Sequence, residues 1–213
     1  MKIIIINGSQ KSGESNTGII LNELNSLIRK EHKVINYVLG SKKIASELYK
    51  EIITGDVIVF AFPLYIDSIP SNALKMLIDI EDFLKKGGVQ DIVMYAIINN
   101  GFYEGKQTRI AFEIIQNWCE HTGIRFGGGI GQGAGEMIGA TKNMPLSKGP
   151  FNNLGRELKF LMEKIEVKET FETKYLSPCF PRFLWRFMAK HTFWHPMAYK
   201  NKLKKKDLIK RII

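Results

Sequence analysis

Apolar residues follow two alternating rhythms along the chain. Lys2–Ile6 and Asp56–Phe62 (DVIVFAF) are continuous, β-branched and too short for helices, and they read as strands buried on both faces. Lys33–Val38, Asp91–Ile98 (DIVMYAII) and Ile124–Ile130, the last interrupted by glycines, read as three more strands. Between these runs the apolar positions fall at helical spacing. The segment beyond Thr17 repeats Ile19, Ile20, Leu24, Leu27 and Ile28, and Lys42–Ile53 repeats Ile44, Ala45, Leu48, Ile52 and Ile53. Asn72–Lys85 begins behind Pro70 and stops at Gly87-Gly88; Gln107–His121 closes at Gly123; Asn152–Ile165 forms the last of this series.

Strands alternating with helices predict an α/β fold, a five-stranded parallel sheet with helices on both faces. In such sheets ligands bind beyond the carboxyl ends of the strands, where strand order reverses. The loops at that rim are Gly8–Thr17, Pro63–Ser68, Asn99–Lys106 and Gly131–Glu136, all rich in groups a polar, aromatic ligand requires. The loops at the other end, such as Lys30–His32 and Lys85–Gln90, read as ordinary charged or glycine turns.

The first rim loop carries the most chemistry. Gly8 permits a sharp turn, and Ser9, Ser12, Ser15, Asn16 and Thr17 then offer donors at the start of a helix. Helix N-termini attract anions. The loop lacks both the Gly-Lys-Ser/Thr ending of a triphosphate-binding loop and the Gly-x-Gly-x-x-Gly dinucleotide pattern. Its donors suit a phosphate monoester. The same residues also fit a plain cap, with Ser15 or Asn16 satisfying the helix and the other hydroxyls in water.

Composition narrows the surroundings. A chain of 213 residues with 45% hydrophobic content supports one substantial core and an appendage. No apolar stretch approaches the ~20 residues of a membrane span, and the N-terminal strand is expected to be structural rather than a signal peptide. Two cysteines, Cys119 and Cys179, fit a reducing cytoplasm, which is the expected location, and are too few for a four-cysteine cluster. His191 and His195 are spaced four apart without a nearby acidic partner, so no metal site is expected.

Net charge is +10, and from residue 170 onward eleven Lys/Arg against Glu172 and Asp207 account for +9 of it. Residues 1–169 therefore form a nearly neutral domain, and residues 170–213 a basic extension interleaved with aromatics. If Pro181 starts a helix there, Phe183, Leu184, Phe187 and Met188 form an apolar face beside a basic stripe of Arg182, Arg186 and Lys190, and Pro196 ends it. Such an extension serves as a lid or dimer arm, or as a helix on an anionic membrane surface. No nucleic-acid partner is expected, because no recognised nucleic-acid module accompanies the patch.

Three segments, NGSQKSGESNTG, FPLYIDSIPSNALKMLID and NNGFYEGKQT, resemble in sequence and order the NADPH-dependent FMN reductase and NAD(P)H-quinone reductase group of the flavodoxin-like superfamily, over residue 1 to about 165. The resemblance implies a flavodoxin-like doubly wound sheet of order 2-1-3-4-5. It also implies tightly bound FMN, NADH or NADPH as reductant, a small-molecule acceptor such as a quinone or free flavin, and a homodimer. Ser9, Gln10, Ser15, Asn16 and Thr17 would hold the FMN phosphate. Pro63, Leu64, Tyr65 and Ile66 would lie against the isoalloxazine, and Asn99, Asn100, Gly101, Phe102, Tyr103 and Glu104 would border its pyrimidine side and edge. Relatives read Gly-Ser-Pro-Arg where this chain has Gly8-Ser9-Gln10-Lys11, with Lys11 replacing part of the arginine's charge. Gly127, Gly128, Gly129, Gly131, Gly133 and Gly135 read either as a backbone wall or as a flexible lid. No acid, base or nucleophile stands out as catalytic, as expected where the cofactor carries the chemistry. A flavodoxin-type electron carrier is the alternative, although carriers of that type are usually strongly acidic and this domain is not.

Overall fold

The computed structural model of the chain describes residues 1–11, 13–40, 46–87 and 91–210. Ser12, the first part of the expected helix Lys42–Ile53 and the turn at 88–90 fall outside these residues. Met1–Pro178 forms one compact unit and Cys179–Ile213 another.

In the first unit the strands are β1 (Lys2–Asn7), β2 (Lys33–Val38), β3 (Val57–Pro63), β4 (Val93–Asn99), β5 (Arg125–Gln132) and β6 (Lys174–Leu176). The helices are α1 (Asn16–Leu27), α2 (Ser46–Ile53), α3 (Ser71–Gly87), α4 (Arg109–Thr122) and α5 (Asn152–Glu166). The sheet runs β2-β1-β3-β4-β5-β6, and every pairing is parallel. The expected order is thus present with one strand more, because β6 covers the edge of β5 through Ile130↔Lys174 to Gln132↔Leu176. Three residues with mixed polarity carry no periodic signal of their own; pairing makes them a strand.

Alternation along the central strands sorts the core into two layers. Ile4, Ile6, Ile58, Phe60, Phe62, Met94, Ala96 and Ile98 cluster with Leu48, Ile52, Leu77, Ile80, Ile115 and Trp118 from α2, α3 and α4. Ile3, Ile5, Val57, Val59 and Ile97 are also fully buried and face the opposite way, where α1 packs on α5. Burial pushes the Cys119 thiol, in the first layer, up to about 12.

Two glycines of β5 are explained by neighbouring rings. A Cβ on Gly127 would lie 2.4 Å from the Tyr95 ring, and one on Gly129 2.1 Å from that of Phe112. The register with β4 slips between Met94 and Tyr95, leaving Gly127 as the extra residue, and Gly128 takes φ 131°. Phe171 stacks on Tyr95 at 6.1 Å and meets Phe160 edge-on at 5.3 Å.

In the second unit, α6 (Arg182–Met188) follows Pro181, continues through a π-helical turn (Ala189–Trp194) and passes into α7 (His195–Lys200). The helical run therefore does not stop at Pro196, contrary to the sequence reading. Pro196 falls in the first turn of α7, where a missing N–H is tolerated, directly after the widened π turn. The His191 and His195 rings meet at 4.9 Å. Burial, then Lys205 and the other neighbouring groups of like charge, lower the pKa of His195. Among the described residues no group of three metal-ligating side chains occurs, and no helix is long and apolar enough to cross a membrane.

Gly129→Ala is expected to destabilise the fold by about 1–3 kcal/mol in urea unfolding, through overpacking against Phe112. Adding Phe112→Leu should make the double variant less destabilised than the sum of the single changes.

Candidate functional site

Strand order reverses at β1, which has β2 on one side and β3 on the other. The loops leaving β1 and β3 meet there, and β4 ends beside them through the pair Pro63↔Asn99. Together they form a groove of about 230 Å³ whose described lining is Ser9, Lys11, Ser15–Thr17, Pro63–Tyr65, Asn99–Gly101 and Glu136. Larger hollows of about 530 Å³ and 710 Å³ run along α1 and α4, away from this reversal.

The first loop is built by local bonds. Asn7 Oδ1 accepts from Ser9 N at 3.0 Å, an Asx turn. Gly8 N donates to Ala61 O at 2.7 Å. Gly8 is needed for space rather than for a left-handed turn: a Cβ would sit 3.0 Å from Phe62 Cβ and 3.1 Å from Phe60 Cε2. Among the described residues of the loop, Gly13 is left-handed, φ 92°. Ser15 caps α1, its Oγ accepting from Gly18 N at 3.0 Å.

Where each hydroxyl proton goes decides which groups are left for an anion. Thr17 donates its proton to Asn99 Oδ1 at 2.8 Å, so its hydroxyl is spent on tying α1 to the end of β4. Ser9 Oγ accepts from Lys11 N at 3.3 Å, and Ser15 Oγ acts as an acceptor from Gly18 N; both retain a proton to donate. The N–H groups of Asn16 and Thr17 precede the first intrahelical bond and point from the positive end of α1. Lys11 adds the one cation of the described lining, and Glu136 the one carboxylate.

Gln10 has another engagement. Its Nε2 donates to Ser71 Oγ at 3.0 Å and to Asn72 Oδ1 at 3.2 Å, fastening the loop to the start of α3. A motif position gave no sign of this, since the partners lie 61 and 62 residues away.

The loop after β3 is a two-residue hairpin. Tyr65 and Ser68 exchange backbone bonds at 3.0 Å, while Ile66 and Asp67 occupy φ 48° and 58°. Leu64 N donates to Asn99 O at 2.8 Å, holding Pro63–Tyr65 against the end of β4. Ile66 at the tip is 99% exposed and outside the groove lining.

The loop after β4 packs onto that after β5. Asn100 Nδ2 donates to Glu104 O at 3.2 Å, and Ala134 N and Gly135 N donate to Phe102 O and Asn100 O at 2.5 and 2.6 Å. These contacts engage the carbonyls of Phe102 and Glu104, and Phe102–Glu104 lies beside the groove rather than in its lining. Two buried amides keep an unpartnered oxygen among the described residues: Oδ1 of Asn100, a residue of the groove lining, and Oε1 of the neighbouring Gln132. A buried acceptor without a donor is a costly arrangement unless a ligand completes it. Neither Gln132 nor Glu136 belongs to the resembling segments; their position at the end of β5 and on the loop beyond it was the available signal.

No protein-family model matches the chain, and no curated protein matches it. Solved structures match in shape. A flavone reductase superposes with TM-score 0.53 and 14% identity over 81% of this chain and 66% of its own. An NADPH-quinone reductase from P. pentosaceus superposes with TM-score 0.51 and 14% identity over 70% and 100%, and a flavodoxin from Streptococcus pneumonia TIGR4 with 0.50 and 13% over 79% and 99%.

The fold is flavodoxin-like.

The groove at the order reversal of this flavodoxin-like sheet combines an anion-attracting end, an apolar wall at Pro63–Tyr65 and an amide wall at Asn99–Gly101. Thr17→Val is expected to cost about 1–3 kcal/mol of stability in chemical denaturation, because Asn99 Oδ1 loses its donor in a buried place. Ile66→Asn is expected to stabilise by about 0.5–1 kcal/mol in the same assay, since a β-branched residue at positive φ is strained and asparagine tolerates that region.

Proposed function

We propose that this protein is an FMN-dependent oxidoreductase that takes reducing equivalents from NADH or NADPH and passes them to a small acceptor such as a quinone or a flavin. The observation that carries this reading is the groove's composition: hydroxyl and helix-start donors at one end, Pro63–Tyr65 along a side, and Asn100, whose buried Oδ1 has no partner among the described residues, in the lining. The fold-level likeness to a flavone reductase and an NADPH-quinone reductase supports the same class.

The residues fit the group. Ser9 and Ser15 hydroxyls, the Asn16 and Thr17 N–H groups and the Lys11 ammonium suit a dianionic phosphate monoester, with the dipole of α1 adding to the attraction. Tyr65 and Leu64 offer flat apolar surface for a ring system, and Pro63 stiffens their approach. Asn100 supplies a buried amide for the polar edge of a heterocycle, and Gly101 lets backbone come close. At about 230 Å³ the groove is below the ~300–1,000 Å³ of pockets that engulf a ligand, which suits a ring with one face open to a second reactant. FMN, when bound, supplies the capacity to accept a hydride and release electrons. The chain's own part is to bind, orient and limit water.

Purified protein titrated with FMN is expected to develop a flavin spectrum that bleaches on anaerobic mixing with NADH or NADPH. A colourless protein that takes up no FMN sinks the proposal; a bound flavin that stays oxidised with either nicotinamide identifies an electron carrier instead. Ser9→Ala combined with Lys11→Gln should weaken FMN by roughly 10–100-fold while leaving riboflavin affinity unchanged, since only FMN carries the phosphate. Equal losses for both ligands would remove these residues from the phosphate end.

A further inference from the structure

Half of the large hydrophobic side chains exposed among the described residues lie in the second unit. Phe183 is 73% exposed, Phe187 59%, Trp194 52%, Tyr199 84% and Ile209 85%. The same stretch, residues 179–210, carries nine Lys/Arg against one acid, Asp207. That carboxylate is turned inward as a cap, accepting from Lys204 N at 2.8 Å. Phe183 and Phe187 sit one turn apart on α6, and Arg182, Arg186 and Lys190 follow the same spacing one residue earlier, so an aromatic stripe runs directly beside a basic one.

Exposed aromatic side chains gathered on one short segment mark a contact, and the two stripes together select the partner. A second copy of the segment would match the aromatics and set cation against cation. Nucleic acid would match the cations and stack on rings, and would leave aliphatic Leu203, Leu208 and Ile209 in water. An anionic phospholipid surface accepts both: headgroups meet the cations, and the acyl boundary receives rings and aliphatic chains from a helix lying in the plane. The helical run is neither long nor apolar enough to cross.

We propose that residues 182–210 dock this protein on the surface of an anionic phospholipid bilayer, with Phe183, Phe187 and Trp194 entering the headgroup boundary and Lys204–Lys206 held at the charged surface. The inference is independent of the flavin reading, and its test needs no cofactor.

Full-length protein is centrifuged with vesicles of phosphatidylcholine alone or mixed with phosphatidylserine, at about 0.1 M and about 1 M salt, where screening lengths are roughly 10 Å and 3 Å. The expected result is co-sedimentation with the serine-lipid vesicles at low salt and a blue shift of tryptophan emission. The triple change K204Q/K205Q/K206Q should lower the partition coefficient on the order of 100-fold. The pair Phe183→Ser and Phe187→Ser should lower it at least about tenfold while keeping its salt dependence. Wild-type protein that stays in solution with both vesicles overturns the proposal, as does binding indifferent to lipid charge and salt. Self-association without vesicle binding assigns the surface to a second copy, and capture of a single-stranded oligonucleotide without vesicle binding assigns it to nucleic acid; either outcome overturns it.

Discussion

A central strand with neighbours added on opposite sides imposes the geometry on which the candidate site depends. β1 pairs with β2 on one edge and β3 on the other, so the crossovers through α1 and α2 must cover opposite faces of the sheet. Their departure to opposite sides leaves a crevice at the carboxyl ends of β1 and β3 that neither helix can fill. The sheet has to be buried on both faces to be stable, because its strands are apolar in both directions. Burial of the sheet and creation of the crevice are therefore one event.

The crevice is then shaped by hydrogen bonds between elements far apart in sequence. Thr17 binds Asn99 across 82 residues, and Leu64 N binds Asn99 O, so one asparagine at the end of β4 fastens both neighbouring loops. Gln10 clips the first loop to α3. With these groups committed to structure, Ser9, Ser15, Lys11 and the first N–H groups of α1 remain as donors among the described residues, and Asn100 Oδ1 is buried without a partner. A rigid frame that leaves a small set of polar groups unengaged is the physical form of a preorganised site.

The second unit follows a different rule. Its helical run leaves most of its aromatic side chains exposed, and the unit as a whole gathers most of the net charge of the chain, a combination that internal packing does not explain. The π turn before Pro196 keeps the run continuous where a proline was expected to end it. Continuity sets the apolar and basic stripes side by side over a longer surface than α6 alone provides.

Several features were legible in sequence because they are local. The β-branched runs identify β1 and β3 within a residue, Lys33–Val38 coincides with β2, and Asn152 begins α5 as read. The order of polar and aromatic loops points to the rim where the groove lies, since loop position follows from strand direction alone. Tertiary structure decided the rest, through contacts between distant segments. β6 exists because β5 offers an edge; Gly127 and Gly129 of β5 leave room for the rings of Tyr95 and Phe112; Thr17 spends its hydroxyl on Asn99 and Gln10 its amide on α3; Glu136 reaches the groove because its loop folds back over Gly101. Propensity and periodicity are properties of neighbouring residues, whereas the availability of a donor, or the space at a Cβ, is settled by whatever the folded chain brings alongside.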